Sequence, residues 1–191
     1  MALVLILVLL PVFLVLSLLI VIFDGWPFWY VQKRHGKDRK VFKMWKFRTM
    51  INGADEMKLK FRNKNEVDGP VFKIKEDPRF NRLGKKLSHT GIDELPQLLN
   101  ILKGEMAFVG PRPLPIEEGD KIPKLYWTRY RTKPGIISPW IVGGYHEVGF
   151  NRWMESDVWY VKNKSFWLDL KLCWLAVGVV YKMVINELKT N

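Results

Sequence analysis

Two adjacent carboxylates, Asp93 and Glu94, stand at the head of the apolar series Leu95, Leu98, Leu99 and Leu102. Acidic residues in a first helical turn face the positive end of the helix dipole, worth about 0.3–1 kcal/mol, which favours their ionised forms. An ionised carboxylate can attack phosphorus or bind Mg²⁺ through oxygen. Taken alone, such a dipeptide is an ordinary first-turn stabiliser, so a site needs cations beside it. Three stretches offer them. Lys46-Phe47-Arg48 is one; Arg79, Arg82, Lys85 and Lys86 lie just upstream of the acidic pair; Arg112 stands between Pro111 and Pro113, whose fixed φ angles hold its backbone stiffly. Guanidinium groups suit phosphate because they present paired donors in a plane. Each set alone also reads as solvated or lipid-facing charge.

Other chemistries lack their signatures. No G-x-x-x-x-G-K-[ST] and no G-x-G-x-x-G occurs, so the two common nucleotide-binding loops are absent. His35, His89 and His146 have no zinc-ligand spacing. The single cysteine, Cys173, rules out a disulfide framework, fits a reducing compartment, and sits in an apolar stretch where packing is its expected role.

The acidic pair needs a helix behind it. Leu95, Leu98, Leu99 and Leu102 follow the i, i+3, i+4, i+7 rule, predicting a helix over 92–103 that stops at Lys103-Gly104. Pro96 is tolerable only in its first turn, and Thr90 with Asp93 has the spacing of a weak capping box. Residues 28–33 and 41–47, rich in aromatic and β-branched side chains, flank His35-Gly36-Lys37-Asp38 and predict a β-hairpin. A helix is expected over 52–63, a short strand over 71–74 and a short helix over 124–131. Three prolines make 110–115 a stiff loop. The stretch 166–184 is apolar but carries Asp169, Lys171 and Lys182, which predicts a helix lying in a membrane interface or packed on the domain. The fold class expected is α+β, mostly helical.

Ala2 to Phe23 carries no charge. Its 22 residues reach roughly 33 Å as a helix, enough for a hydrocarbon core of about 30 Å. A cleavable signal peptide would want a basic n-region and a small-x-small site, and neither is present. Between Lys33 and Arg48 there are eight basic residues and one acid, Asp38. Such charge stays cytoplasmic, and Trp26, Phe28, Trp29 and Tyr30 suit an aromatic belt at headgroup level. Pro11 should kink the helix near its middle. A kinked helix of this length either crosses the bilayer or dips in and returns.

The chain has 191 residues, 31 Lys+Arg against 19 Asp+Glu, and a formal charge of +12. At 48% hydrophobic residues it has a core's worth of material, which excludes intrinsic disorder. The charge calls for an anionic partner. Nine Trp and eleven Phe could stack on bases, but the membrane segment argues against nucleic acid.

These stretches, taken in order, resemble the bacterial sugar transferases, the monotopic phosphoglycosyl transferases that begin polysaccharide and glycoconjugate assembly. The resemblance runs through Asp24-Gly25-Trp26-Pro27, Gln32-Lys33-Arg34-His35-Gly36, Lys46-Phe47-Arg48-Thr49-Met50, Asp77-Pro78-Arg79, Arg82-Leu83-Gly84, Ile92-Asp93-Glu94-Leu95-Pro96-Gln97, Val109-Gly110-Pro111-Arg112-Pro113, Lys133-Pro134-Gly135-Ile136 and Trp167-Leu168-Asp169-Leu170-Lys171. It implies transfer of a sugar-1-phosphate from a nucleotide diphosphate sugar, usually a UDP-sugar, to a polyprenyl phosphate at the cytoplasmic face of the bacterial inner membrane. It further implies that Asp93 is the nucleophile and contacts Mg²⁺ and that Glu94 assists; Lys46, Arg48, Arg79, Arg82 and Arg112, from the basic stretches above, are the residues expected to hold substrate phosphate. Residues 1–25 would form a re-entrant helix broken at Pro11, and 26–191 a cytoplasmic catalytic domain with an interfacial C-terminal helix; a homodimer is compatible with this. The chain departs from the family in having Leu10 where a Ser often precedes the breaking Pro, Ser88 where an Arg is common, and Ile137-Ser138-Pro139-Trp140 where Thr-Gly usually follows Pro-Gly-Ile. Lys86 or His89 could take the place of that Arg. A rival reading from the charge alone is a non-catalytic surface module that binds anionic lipid through residues 33–48.

Overall fold

The structure is a computed structural model that describes residues 1–143 and 149–189, so His146 lies outside the described residues. Helix α1 (Ala2–Asp24) leads into an antiparallel hairpin, β1 (Trp29–His35) and β2 (Val41–Phe47), paired from Trp29↔Phe47 to His35↔Val41. Short helices α2 (Ala54–Met57) and α3 (Gly84–Thr90) precede a 3₁₀ turn, Ile92–Glu94, and α4 (Gln97–Leu102). Strand β3 (Ala107–Val109), α5 (Ile116–Gly119), a 3₁₀ helix (Lys124–Arg131) and β4 (Gly135–Ile137) follow. The chain closes with α6 (Pro139–Val142), α7 (Phe150–Asn163) and α8 (Phe166–Lys189). The class is α+β, as expected.

Helix α1 continues on both sides of Pro11. Its C-terminal half is tied to the domain: Phe13, Leu16 and Ile20, on one helical face, pack with Phe47 and Leu87, and Ile20 is fully buried. Leu3, Val4, Leu7 and Val8 are exposed. Among the described residues α1 is the one helix long and apolar enough to cross a membrane by length and composition. Where α1 ends, Arg48 donates to the carbonyls of Asp24, Gly25 and Trp26 at 2.6, 2.6 and 3.3 Å and to Asn52 Oδ1 at 2.8 Å. One buried guanidinium thus stands where the last carbonyls of a helix want donors.

Three expectations are corrected. The helix over 52–63 shrinks to α2 and a 3₁₀ turn, Arg62–Lys64, because its apolar positions find too little to pack on; Leu59 lies exposed. Residues 71–74 form no strand. Asn65 takes their ladder bonds instead, donating to Val71 O at 3.0 Å and accepting from Lys73 N at 2.8 Å. The helix over 92–103 is split: α3 ends at Thr90, Gly91 after it is left-handed at φ 73°, the 3₁₀ turn follows, and α4 begins after Pro96. Thr90 makes no capping box. As the last residue of α3 its hydroxyl donates back to Lys86 O at 2.7 Å and Leu87 O at 3.2 Å.

A two-stranded parallel sheet that the sequence did not announce fixes the Arg112 loop. Ala107 pairs with Gly135 and Val109 with Ile137. A Cβ on Gly135 would lie 2.1 Å from Gly110 N, so the approach of these segments demands glycine there. The main core, Leu114, Tyr126, Tyr130, Trp140, Trp153 and Met154 among others, lies beneath this loop. Helix α8 buries Leu172 and Ala176 and leaves Phe166, Trp167, Leu170, Trp174, Val177 and Tyr181 exposed. Cys173 packs beside Val109 and Tyr160, and burial pushes its thiol pKa up, so it is packing material and no thiolate.

Candidate active site

Three elements converge on the acidic pair. The 3₁₀ turn after Gly91 presents Asp93 and Glu94, the end of β2 presents Lys46, and the loop after β3 presents Arg112. Lys46 Nζ donates to Glu94 Oε1 at 2.7 Å and reaches Asp93 Oδ2 at 3.4 Å. Arg112 Nη2 donates to Glu94 Oε1 at 2.6 Å, with Nη1 at 3.4 Å from Oε2. The two cations therefore clasp Glu94, and Asp93 receives only the longer contact.

The electrostatics divide the pair. Burial works against ionising either carboxyl, but at Glu94 the Arg112 and Lys46 charges outweigh it and hold the pKa far below the usual carboxylate range. At Asp93, 4% exposed, burial prevails, Glu94 adds to it, and the pKa is raised. Glu94 is thus the fixed anion of the cluster, and Asp93 is a carboxylate whose charge nearby cations only partly answer. Glu94 in turn raises the Arg112 pKa.

The Arg112 backbone is held from below. Arg129 Nη2 donates to Arg112 O at 2.7 Å, while its Nε and Nη2 grip Asp157 Oδ2 at 3.1 and 2.8 Å. This ion pair is sealed, its side chains 1% and 0% exposed. Burial lifts Asp157 to about 6 against the pull of Arg129. On the other side, Arg34 Nη1 donates to Pro113 O at 2.8 Å; burial lowers its pKa to about 10, and the charge of Arg112 adds to the effect. Burial and Arg112 likewise lower the Lys73 pKa. Lys73, Arg129 and Asp157 escaped the sequence reading, and Arg34 entered it only within a motif and with no role, because only the tertiary fold sets these residues around the Arg112 loop.

Of the expected cations, Lys46 and Arg112 reach the acidic pair and three others are engaged elsewhere. Arg48 is the clamp on α1. Arg79 is buried in a bidentate pair with Asp77, 2.6 Å at its closest, and donates to Ala54 O at 3.0 Å. Arg82 stacks on Phe23 at 5.1 Å, and its backbone N–H donates to Asp24 Oδ1 at 3.1 Å. Their donors stabilise backbone and loop rather than pointing at Asp93. His89, the neighbour of Ser88, pairs with Glu187 of α8 at 3.2 Å.

Among the described residues no group of three or more acidic, His or Cys side chains could cage a metal ion. Mg²⁺ rarely needs such a cage, since it keeps waters and binds through one or two carboxylates plus substrate phosphates. A buried Asp93 whose side chain has Lys46 as its one hydrogen-bond partner among the described residues fits that donor requirement.

Fold and site together define an α+β protein with an apolar N-terminal helix and a buried carboxylate pair set under fixed cations, an arrangement suited to phosphorus chemistry. The chain belongs to the bacterial sugar transferase family, whose model matches residues 1–183. It is similar to the galactosyl transferase CpsE of Streptococcus agalactiae (37% identity, 82% of this chain and 35% of that one). It is also similar to the undecaprenyl-phosphate galactose phosphotransferase of Salmonella typhimurium (34% identity, 83% and 34%) and to the exopolysaccharide production protein ExoY of Rhizobium meliloti (34% identity, 89% and 77%). The chain spans about a third of the length of the first two and about three quarters of the third.

Proposed function

We propose that this chain transfers a sugar-1-phosphate from a UDP-sugar to a polyprenyl phosphate, in two displacements through Asp93. In the first, an Asp93 carboxylate oxygen bonds to the phosphorus that carries the sugar. The bridging P–O bond breaks, and UMP leaves with the electron pair. In the second, a phosphate oxygen of the polyprenyl phosphate attacks the same phosphorus, expelling Asp93 as carboxylate and giving a polyprenyl diphosphate sugar. Splitting the transfer this way lets two anionic substrates use one site in turn.

The observation that carries this reading is the unequal treatment of the pair, with Glu94 saturated by Lys46 and Arg112 while Asp93 stays buried and weakly partnered. Arg112 and Lys46 offer fixed positive charge to the oxygens on which negative charge grows in each displacement. Arg129 and Arg34 hold the Arg112 loop so that this charge needs no rearrangement. Asp93, with Glu94 beside it, would hold Mg²⁺, whose Lewis acidity would lower the negative charge that a carboxylate must approach.

Membrane placement supports the choice of acceptor. The domain holds α1 from Phe13 onwards, and Leu3, Val4, Leu7 and Val8 ahead of that point are exposed. In this reading α1, held to the domain from Phe13 onwards and carrying Pro11 near its middle, dips into the cytoplasmic leaflet and returns, the re-entrant topology that the family resemblance implies. The exposed aromatics of α8 suit an interfacial position. The acceptor phosphate then lies at the depth of the site. UMP release from a panel of UDP-sugars with undecaprenyl phosphate and Mg²⁺ tests the assignment; lipid binding with no turnover on any sugar nucleotide would contradict it and leave the surface-module reading.

A further inference from the structure

On the outer face of the hairpin lies a cavity of about 350 Å³ lined by Lys33, Lys43, Trp45, Lys103 and Glu105 among others. Successive side chains on a strand point to opposite faces, so Lys46 reaches Asp93 while Trp45 turns the other way, towards this cavity. Lys33 and Lys43 are direct cross-strand partners. Like charges directly opposite are destabilising, and Lys103, at the end of α4, adds a third charge, its ammonium 5.5 Å from the Trp45 ring centre. Among the described residues none of the three lysines has an ion pair. Glu105, the single acid of the lining, accepts from Asn100 Nδ2 at 2.6 Å and offsets only one of the three lysine charges, so the lining stays net positive. Unpaired positive charge gathered against its own repulsion calls for an anion.

The rim says which anion. On the same hairpin stand exposed Trp29, Val31 and Val41, Val31 being the cross-strand partner of Trp45, and α4, which ends at Lys103, exposes Leu99 and Leu102. Trp29 meets the Trp45 ring edge-on at 5.4 Å and continues into Trp26, beside the end of α1. An apolar, aromatic border around exposed lysines is the profile of a membrane interface, where acyl chains lie on the rim and ammonium heads reach phosphate. We propose that Lys33, Lys43 and Lys103, arranged around Trp45, form a second anion site, separate from Asp93, for the phosphate of an anionic phospholipid headgroup. It orients the domain on the bilayer. The inference rests on α1 lying in the membrane and is independent of the catalytic proposal.

The test uses the full chain in a neutral detergent, with native mass spectrometry during titration by phosphatidylglycerol and, separately, phosphatidylcholine. The protein should retain one phosphatidylglycerol in preference to phosphatidylcholine. The combined K33Q, K43Q and K103Q substitutions should weaken that binding at least tenfold, and arginine at the same three positions should restore it. A charge-matched control with K60Q, K121Q and K124Q should bind as the parent does, and UMP release in neutral micelles should stay unchanged in both sets. Unaltered phosphatidylglycerol binding by the first set, or an equal loss in the control, would overturn the proposal. Displacement of the lipid by millimolar inorganic phosphate would also overturn it, marking the cavity as a site for soluble anions.

Discussion

Arg129 reaches across 17 residues of sequence to hold the main-chain carbonyl of Arg112 through Nη2, the nitrogen that together with Nε is also locked on Asp157 in a pair closed to solvent. Arg112 therefore meets Glu94 from a backbone fixed both by Pro111 and Pro113 and by a buried guanidinium. A buried pair is costly to break, because the charge left behind has neither water nor partner; about 3–5 kcal/mol is typical. Asp157→Ala should lower stability by about that amount, seen as a large drop in Tm in detergent. Arg129→Lys keeps the charge but loses the fork, so it should cost less stability, yet a small displacement of Arg112 can slow the reaction by about 10²-fold. A variant as active as the parent would remove Arg129 from the account.

The divided pair predicts opposite pH behaviour in two variants. Burial raises the Asp93 pKa, so the fraction of free enzyme carrying the anionic nucleophile grows with pH through a range above that of an ordinary carboxyl. The acidic limb of kcat/KM should lie in that raised range. Lys46 pulls the pKa down, so Lys46→Met should move the limb to higher pH; Glu94 pushes it up, so Glu94→Gln should move it lower. Both should also lose rate, by about 10²–10³-fold if each supports developing charge. Limbs moving together would show that Asp93 is not the group titrating.

Arg48, which the sequence placed among the phosphate ligands, should behave as a structural residue. Arg48→Ala leaves the carbonyls of Asp24, Gly25 and Trp26 without their donor. Losing buried hydrogen bonds of this kind costs about 1–3 kcal/mol. Thermal unfolding should reveal that loss, with KM for the sugar nucleotide unchanged in whatever protein folds. A lysine cannot serve all of these acceptors from one point, so Arg48→Lys should not restore the parent Tm.

How much the sequence disclosed depends on how local each feature is. The hairpin was legible from two β-rich runs around a turn, and Asp93-Glu94 with Lys46 and Arg112 were legible by residue type. The pairing of Arg79 with Asp77, two residues away, and the capture of Arg48 by the end of α1 were not, because residue type does not say which acceptor an arginine meets first. The sheet formed by Ala107–Val109 and Gly135–Ile137 left no periodic trace, being three residues long on each side. Thr90 misled because a helix ended where one was expected to begin.

Topology has its own check. A cysteine at position 2, in a chain with Cys173 replaced by Ala, should react with a membrane-impermeant maleimide only when the cytoplasmic face is exposed. Labelling from the periplasmic side would mean that α1 crosses the bilayer.

The central claim is that Asp93 becomes bonded to the sugar-bearing phosphorus. Incubating the protein with Mg²⁺ and its UDP-sugar, without polyprenyl phosphate, and digesting under acid conditions should yield the peptide containing Asp93 heavier by one sugar phosphate, matched by one equivalent of UMP. Asp93→Asn should give neither. An adduct on another residue, or product formed with no adduct at any time point, would contradict the account.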